Sequence, residues 1–166
     1  VAMQIVSPPS GARLVSVMGD IDGFAHDNPD KSPADRHRPA VYTTLSLAFA
    51  WKNPMKMAKA FYSREPYGAY SKDGGRLWTD FASMPKGTEK GGLKSMAVSA
   101  DGGTIVWSPA GAAMSYSNDD GGMWNACGGD LAKGLWPLAD TKNPDKFYAY
   151  DGVLGVLWQS NDKGRS

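Results

Sequence analysis

Apolar residues along this 166-residue chain fall in short runs, and most runs are closed by a turn signal. Leu14, Val15, Val17 and Met18 predict a strand that ends at Gly19-Asp20. Residues 46–50, 95–99 and 137–139 predict three more, leading into Asn53-Pro54, Asp101-Gly102-Gly103 and Asn143-Pro144, combinations that favour turns. After the turns come strands rich in aromatic and β-branched residues, clearest at 104–107 and 146–150. A third strand then runs into a turn built on Ser and Asp, so the predicted unit is four strands in sequence, joined by tight turns.

That unit repeats. Ser71, Asp73, Gly75 and Trp78 form the pattern S-x-D-x-G-x-x-W, and Ser117, Asp119, Gly121 and Trp124 repeat it. Ser160, Asp162 and Gly164 begin it a third time, and the given sequence stops one residue before the expected aromatic. A period near 45 residues is that of a propeller blade of four antiparallel strands. In such a turn Asp accepts hydrogen bonds from backbone N–H groups, Ser does so more weakly, and Gly supplies a positive φ. The Trp is expected to anchor the hairpin between neighbouring sheets, with Trp78 and Trp124 buried. The fold class expected is therefore all-β, with blade-like repeats at 46–94, 95–136 and 137–166, the last truncated, after an entry region 1–45. About three such units do not close a propeller, so the chain is expected to expose sheet edges and to be part of a larger assembly.

Composition agrees with this picture: 20 Gly, 11 Pro and six Trp suit many strands and tight turns. Eighteen Lys and Arg against 17 Asp and Glu leave a net charge of +1, which argues against nucleic-acid and polybasic membrane partners. No apolar stretch approaches a membrane span, and no signal peptide is read within the chain. It begins at Val1, so the expectation is a start after processing or inside a longer protein. Cys127 is single and forms no internal disulfide. Two histidines without a Cys/His cluster give no metal-ligand set, and no cofactor is expected.

The candidate chemistry lies at Gly19-Asp20-Ile21-Asp22-Gly23-Phe24-Ala25-His26-Asp27, where a carboxylate stands at a strand end, suited to face the axis of a propeller. This block, followed by residues 97–112 (AVSADGGTIVWSPAGA) and 143–150 (NPDKFYAY), resembles glycoside hydrolase family 74, the xyloglucanases, over nearly the whole chain. The repeated turn likewise resembles the Asp-box of sialidase-like propellers, a structural element of the rim, so Asp73, Asp119 and Asp162 are expected to be structural.

The resemblance implies two seven-bladed propellers facing each other across a cleft, with one Asp from each acting on the β-1,4-glucan backbone of xyloglucan with inversion. This chain matches the start of the second propeller, and the implied general acid is Asp20. The general base belongs to a companion first propeller, in a segment the chain does not contain. Asp22 stands where the family usually has Gly; if it pointed with Asp20 it would favour the protonated acid, and if the two alternate along the strand it would not. An extracellular polysaccharide substrate and a secreted protein follow from the resemblance.

Local readings compete with these. A strand-terminal Asp before Gly is often a simple turn former. His26 and Asp27 suit shaping of the following loop, and residues 28–39 read as a long surface loop placed to border the cleft. Trp51, Tyr67, Trp107, Trp136 and Trp158 are candidates for stacking on sugars, against the commoner role of packing between blades; the substrate-binding residues stay open. The rival function is a non-catalytic Asp-box propeller that binds a carbohydrate or protein ligand. A sialidase would require an arginine cluster, which the scattered arginines do not form.

Overall fold

The computed structural model describes residues 1–90 and 95–166, and every regular element among them is a β-strand. The end of the 46–94 repeat, residues 91–94, lies outside the described residues. Four antiparallel sheets follow one another along the chain, each keeping its strands in sequence order. The first contains β1 (Ala2–Val6), β2 (Leu14–Met18) and β3 (Asp22–His26). The second contains β4 (Thr44–Ala50), β5 (Asn53–Phe61), β6 (Gly68–Ser71) and β7 (Thr79–Asp80). The third contains β8 (Ser95–Val98), β9 (Ile105–Ser108), β10 (Ser115–Ser117) and β11 (Asn125–Ala126). The fourth contains β12 (Trp136–Ala139), β13 (Phe147–Asp151) and β14 (Val156–Ser160).

The sheets stack face to face, and each gap holds its own apolar cluster. Val15, Val17, Leu47, Met57, Phe61 and Trp78 fill the gap between the first and second sheets. Ala58, Ala60, Phe81, Met96, Val98 and Trp107 fill the next, and Ala97, Val106, Met114, Phe147 and Ala149 the last. The first strands of successive sheets, β1, β4, β8 and β12, touch in turn. This arrangement explains the apolar runs: β9 is buried at all four positions because both its faces are covered. The two outermost sheets have one open face, with Met3 and Ile5 exposed on the first, and Trp136, Leu138, Tyr150 and Leu157 on the fourth.

The repeated turns all have one geometry. Ser71 Oγ donates to Asp73 Oδ1 (2.8 Å) and accepts from Gly75 N–H (3.0 Å), while Leu77 N–H donates to Asp73 Oδ1 (3.0 Å). The equivalent bonds recur at Ser117, Asp119, Gly121 and Met123, and at Ser160, Asp162, Gly164 and Ser166. Gly75, Gly121 and Gly164 have φ of 91°, 84° and 85°, which is why glycine occupies this place. Trp78 is buried, as expected, with Nε1 donating to Gly75 O (2.8 Å). Trp124 is only half-buried: it leans edge-on against Phe81 and Trp107 and donates to Ser83 O.

One turn differs from expectation. The β4–β5 turn falls on Trp51-Lys52, and Asn53-Pro54 opens β5. A register irregularity at Phe49/Ala50 spares Pro54 from the ladder, so its missing N–H costs nothing at the start of the strand.

Candidate functional site

Asp20 occupies the turn between β2 and β3, whose five-residue strands pair in unbroken register from Leu14 with His26 to Met18 with Asp22. The turn is tied to its surroundings through the backbone: Gly19 N–H donates to Val1 O (2.9 Å), Asp20 N–H to Thr43 Oγ1 (3.0 Å), and Asp22 N–H to Tyr42 O (3.2 Å). It therefore lies where β1 and β4 begin. The β4–β5 turn and the repeated turns lie at the other end of the sheets, where Lys52 N–H meets Ala100 O (2.7 Å) and Gly74 N–H meets Met55 O (3.0 Å). Asp20 is exposed and its backbone is left-handed, with φ 69°. The main chain at Asp20 is held, and the carboxylate is left accessible.

Asp22 does not point with Asp20. Its side chain turns into the gap between the first and second sheets and is completely buried. There it accepts from Lys59 Nζ at 2.8 and 2.7 Å, from Thr44 Oγ1 at 2.6 Å and from Val41 N–H at 2.9 Å, with His37 Nδ1 at 3.4 Å. Burial alone would raise the Asp22 carboxyl, but His37 and the Lys59 ammonium together hold it well below the usual carboxylate range. Burial pulls Lys59 down to about 8 against the attraction of Asp22, and burial also lowers His37. At neutral pH the buried centre is an ion pair beside a neutral imidazole. Its acidic charge is spent on Lys59, so Asp22 is no source of negative charge for Asp20. Position 22 also has φ 69°, a conformation that glycine adopts freely and Asp tolerates better than most residues.

Other residues singled out in the sequence are placed as follows. His26 bonds across the sheet to Ser16 Oγ (2.9 Å), and Asp27 pairs with Arg76 (2.5 Å). The segment 28–39 runs from the end of β3 remote from Asp20 and meets the repeated turn of the second sheet, where Arg38 bridges Leu77. Trp107 and Tyr67 are buried and Trp158 is half-buried, while Trp51 sits on the turn at the far end of β4. Of the aromatic candidates, Trp51 and Trp136 are exposed, Trp136 at the start of β12. Among the described residues no group of three or more His, Cys, Asp or Glu side chains is placed to hold a metal ion.

Sequence reasoning missed Lys59, Thr43, Thr44 and His37. Lys59 left a signal: it interrupts Met57-Ala58-Lys59-Ala60-Phe61, all buried, and a lysine inside such a run requires a buried anion.

No family model matches the chain. A xyloglucanase of a Paenibacillus species is 39% identical over 171 residues, covering 99% of this chain and 16% of that protein. The crystal structure of a GH74 xyloglucanase from Xanthomonas campestris superposes with a TM-score of 0.90 at 32% identity, over 100% of this chain and 24% of that one. The GH74 enzyme of Niastella koreensis gives 0.87 at 35% identity, over 100% and 23%. The chain thus spans less than a quarter of the length of each of these relatives, and it superposes over its whole length on the two solved structures. By sequence and by fold, this chain belongs to glycoside hydrolase family 74.

Proposed function

We propose that the longer protein carrying this segment hydrolyses the β-1,4-glucan backbone of xyloglucan with inversion, and that Asp20 is its general acid. The observation that carries the reading is the accessible Asp20 carboxylate on a turn whose backbone is anchored on both sides. An inverting glycosidase pairs a carboxylic acid that protonates the leaving oxygen with a carboxylate that activates water, about 6.5–9.5 Å apart. A group donating a proton across a cleft has to be reachable by a polymer and carried on a held backbone, and the exposed Asp20 on its anchored turn supports that role. The opposing base is proposed to lie on a companion propeller outside this segment. A substrate too large to cross a membrane supports action outside the cell.

The test is Asp20→Asn in the longer protein. It keeps the shape and removes the transferable proton, so kcat on xyloglucan should fall by about two to four orders of magnitude with KM little changed. An aryl glycoside with a very good leaving group needs less protonation and should lose much less. Near-normal hydrolysis of xyloglucan by this variant would remove the acid role from Asp20, and no hydrolysis by the unaltered longer protein would leave the non-catalytic, ligand-binding propeller as the reading.

A further inference from the structure

The Asp20 turn is unusual in having two left-handed residues other than glycine, Asp20 and Asp22, within three positions. Such backbone persists only where its surroundings over-determine it. Here the surroundings are lopsided. The Asp20 amide has one side-chain anchor, Thr43 Oγ1, whereas the Asp22 carboxylate gathers His37, Val41 N–H and Thr44 from the segment leading into β4, and Lys59 from β5. Lys59 comes from β5, in the second sheet, so the ion pair crosses the gap between sheets and ties the turn to a strand otherwise remote from it. Its stem and ammonium are walled by the Trp78 ring, 4.6 Å from Nζ.

A buried ion pair is a poor way to gain stability, because desolvation offsets the attraction and an apolar pair of similar volume often serves as well. What it does supply is geometry. Several bonds converging on one carboxylate fix the backbone of residue 22, and with it the direction in which residue 20, two places earlier, presents its side chain. Thr43 is next to Thr44 in the chain, so the Asp20 amide and the Asp22 carboxylate are held by consecutive residues where β4 begins.

We propose that Asp22, held by Lys59, and Thr43 are positioning residues for Asp20: the buried pair and the threonine cap together set the turn that aims the catalytic carboxyl. This rests on the reading of Asp20 as general acid. The role is indirect, since Asp22 is completely buried and touches no substrate.

The experiment compares Asp20→Asn, the double variant D22N/K59M and Thr43→Val in the longer protein, each on xyloglucan and on an aryl glycoside with a good leaving group. The double variant leaves no unpaired buried charge, and Asn tolerates the left-handed backbone. Its kcat on xyloglucan should fall about 10- to 100-fold with KM within about twofold, and the aryl glycoside should be largely spared, the same selective pattern as Asp20→Asn. Thr43→Val, a near-isosteric change, should lose about 3- to 10-fold with the same selectivity.

Equal losses on both substrates would reduce the pair to a structural role and overturn the proposal, as would an unchanged kcat on xyloglucan. If the double variant does not fold, Thr43→Val decides in the same terms. Should Asp20→Asn be impaired while the other two are normal, only the positioning inference falls. If Asp20→Asn itself is near normal, the acid assignment falls and the inference with it.

Discussion

Gly23 shows how closely the candidate site is built. A Cβ at this position would stand 2.0 Å from the carbonyl oxygen of Ser16 and 2.8 Å from Cε1 of His37, so neither the facing strand nor the buried imidazole leaves room for it. The Gly of the G-D-I-x-G-F block is thus required by close approach of backbone to backbone. Gly23→Ala should separate β2 from β3 and push His37 off Asp22, at a cost of about 3 kcal/mol, the upper end of the range for overpacking. Chemical denaturation of the variant and the parent measures it, and a change below about 1 kcal/mol would show that the strands yield easily. At this scale the sequence is a partial guide. It singles out Asp20 and raises the orientation of Asp22 as a question, because a strand followed by Gly-Asp-Ile-Asp-Gly is visible in one dimension. It does not give the partner of Asp22, since Lys59 is 37 residues away and becomes a neighbour only when the sheets stack.

At the scale of elements, the repeated turn is the part most fully legible in sequence, because nearly all its bonds lie within five residues of one another. The third copy closes on Ser160, Asp162, Gly164 and Ser166 with the same bonds as the other two. The first copy adds the bond from Trp78 Nε1 to Gly75 O, and the Trp78 and Trp124 rings also reach into the gaps between sheets. Asp119 is exposed, so water can replace the lost partner when its carboxylate is removed. Asp119→Ala should cost about 1 kcal/mol, near the middle of the range for a single hydrogen bond. Faster hydrogen exchange at the Met123 amide, with exchange in β2 unchanged, is the expected mark of a local effect. Boundaries that depend on packing were less legible: nothing local distinguishes Asn53-Pro54 as a turn from Asn53-Pro54 as the irregular start of a strand.

Across the whole molecule, the three apolar clusters each belong to two sheets, so no sheet holds a complete core of its own. The stack is a series in which every inner sheet is sealed by its neighbours, and the two outer sheets carry the unsealed faces. Met3 and Ile5 stand at one end; Trp136, Leu138, Tyr150 and Leu157 stand at the other. Because these faces are different surfaces, contact between two copies is head to tail, closing into a ring where the rotation per copy allows and propagating as a filament where it does not. Expressed by itself, the segment should therefore self-associate: its sedimentation coefficient should rise with concentration above that of a single particle. Replacing Leu138 and Leu157 together by Lys should cap one extremity and return the solution to single particles.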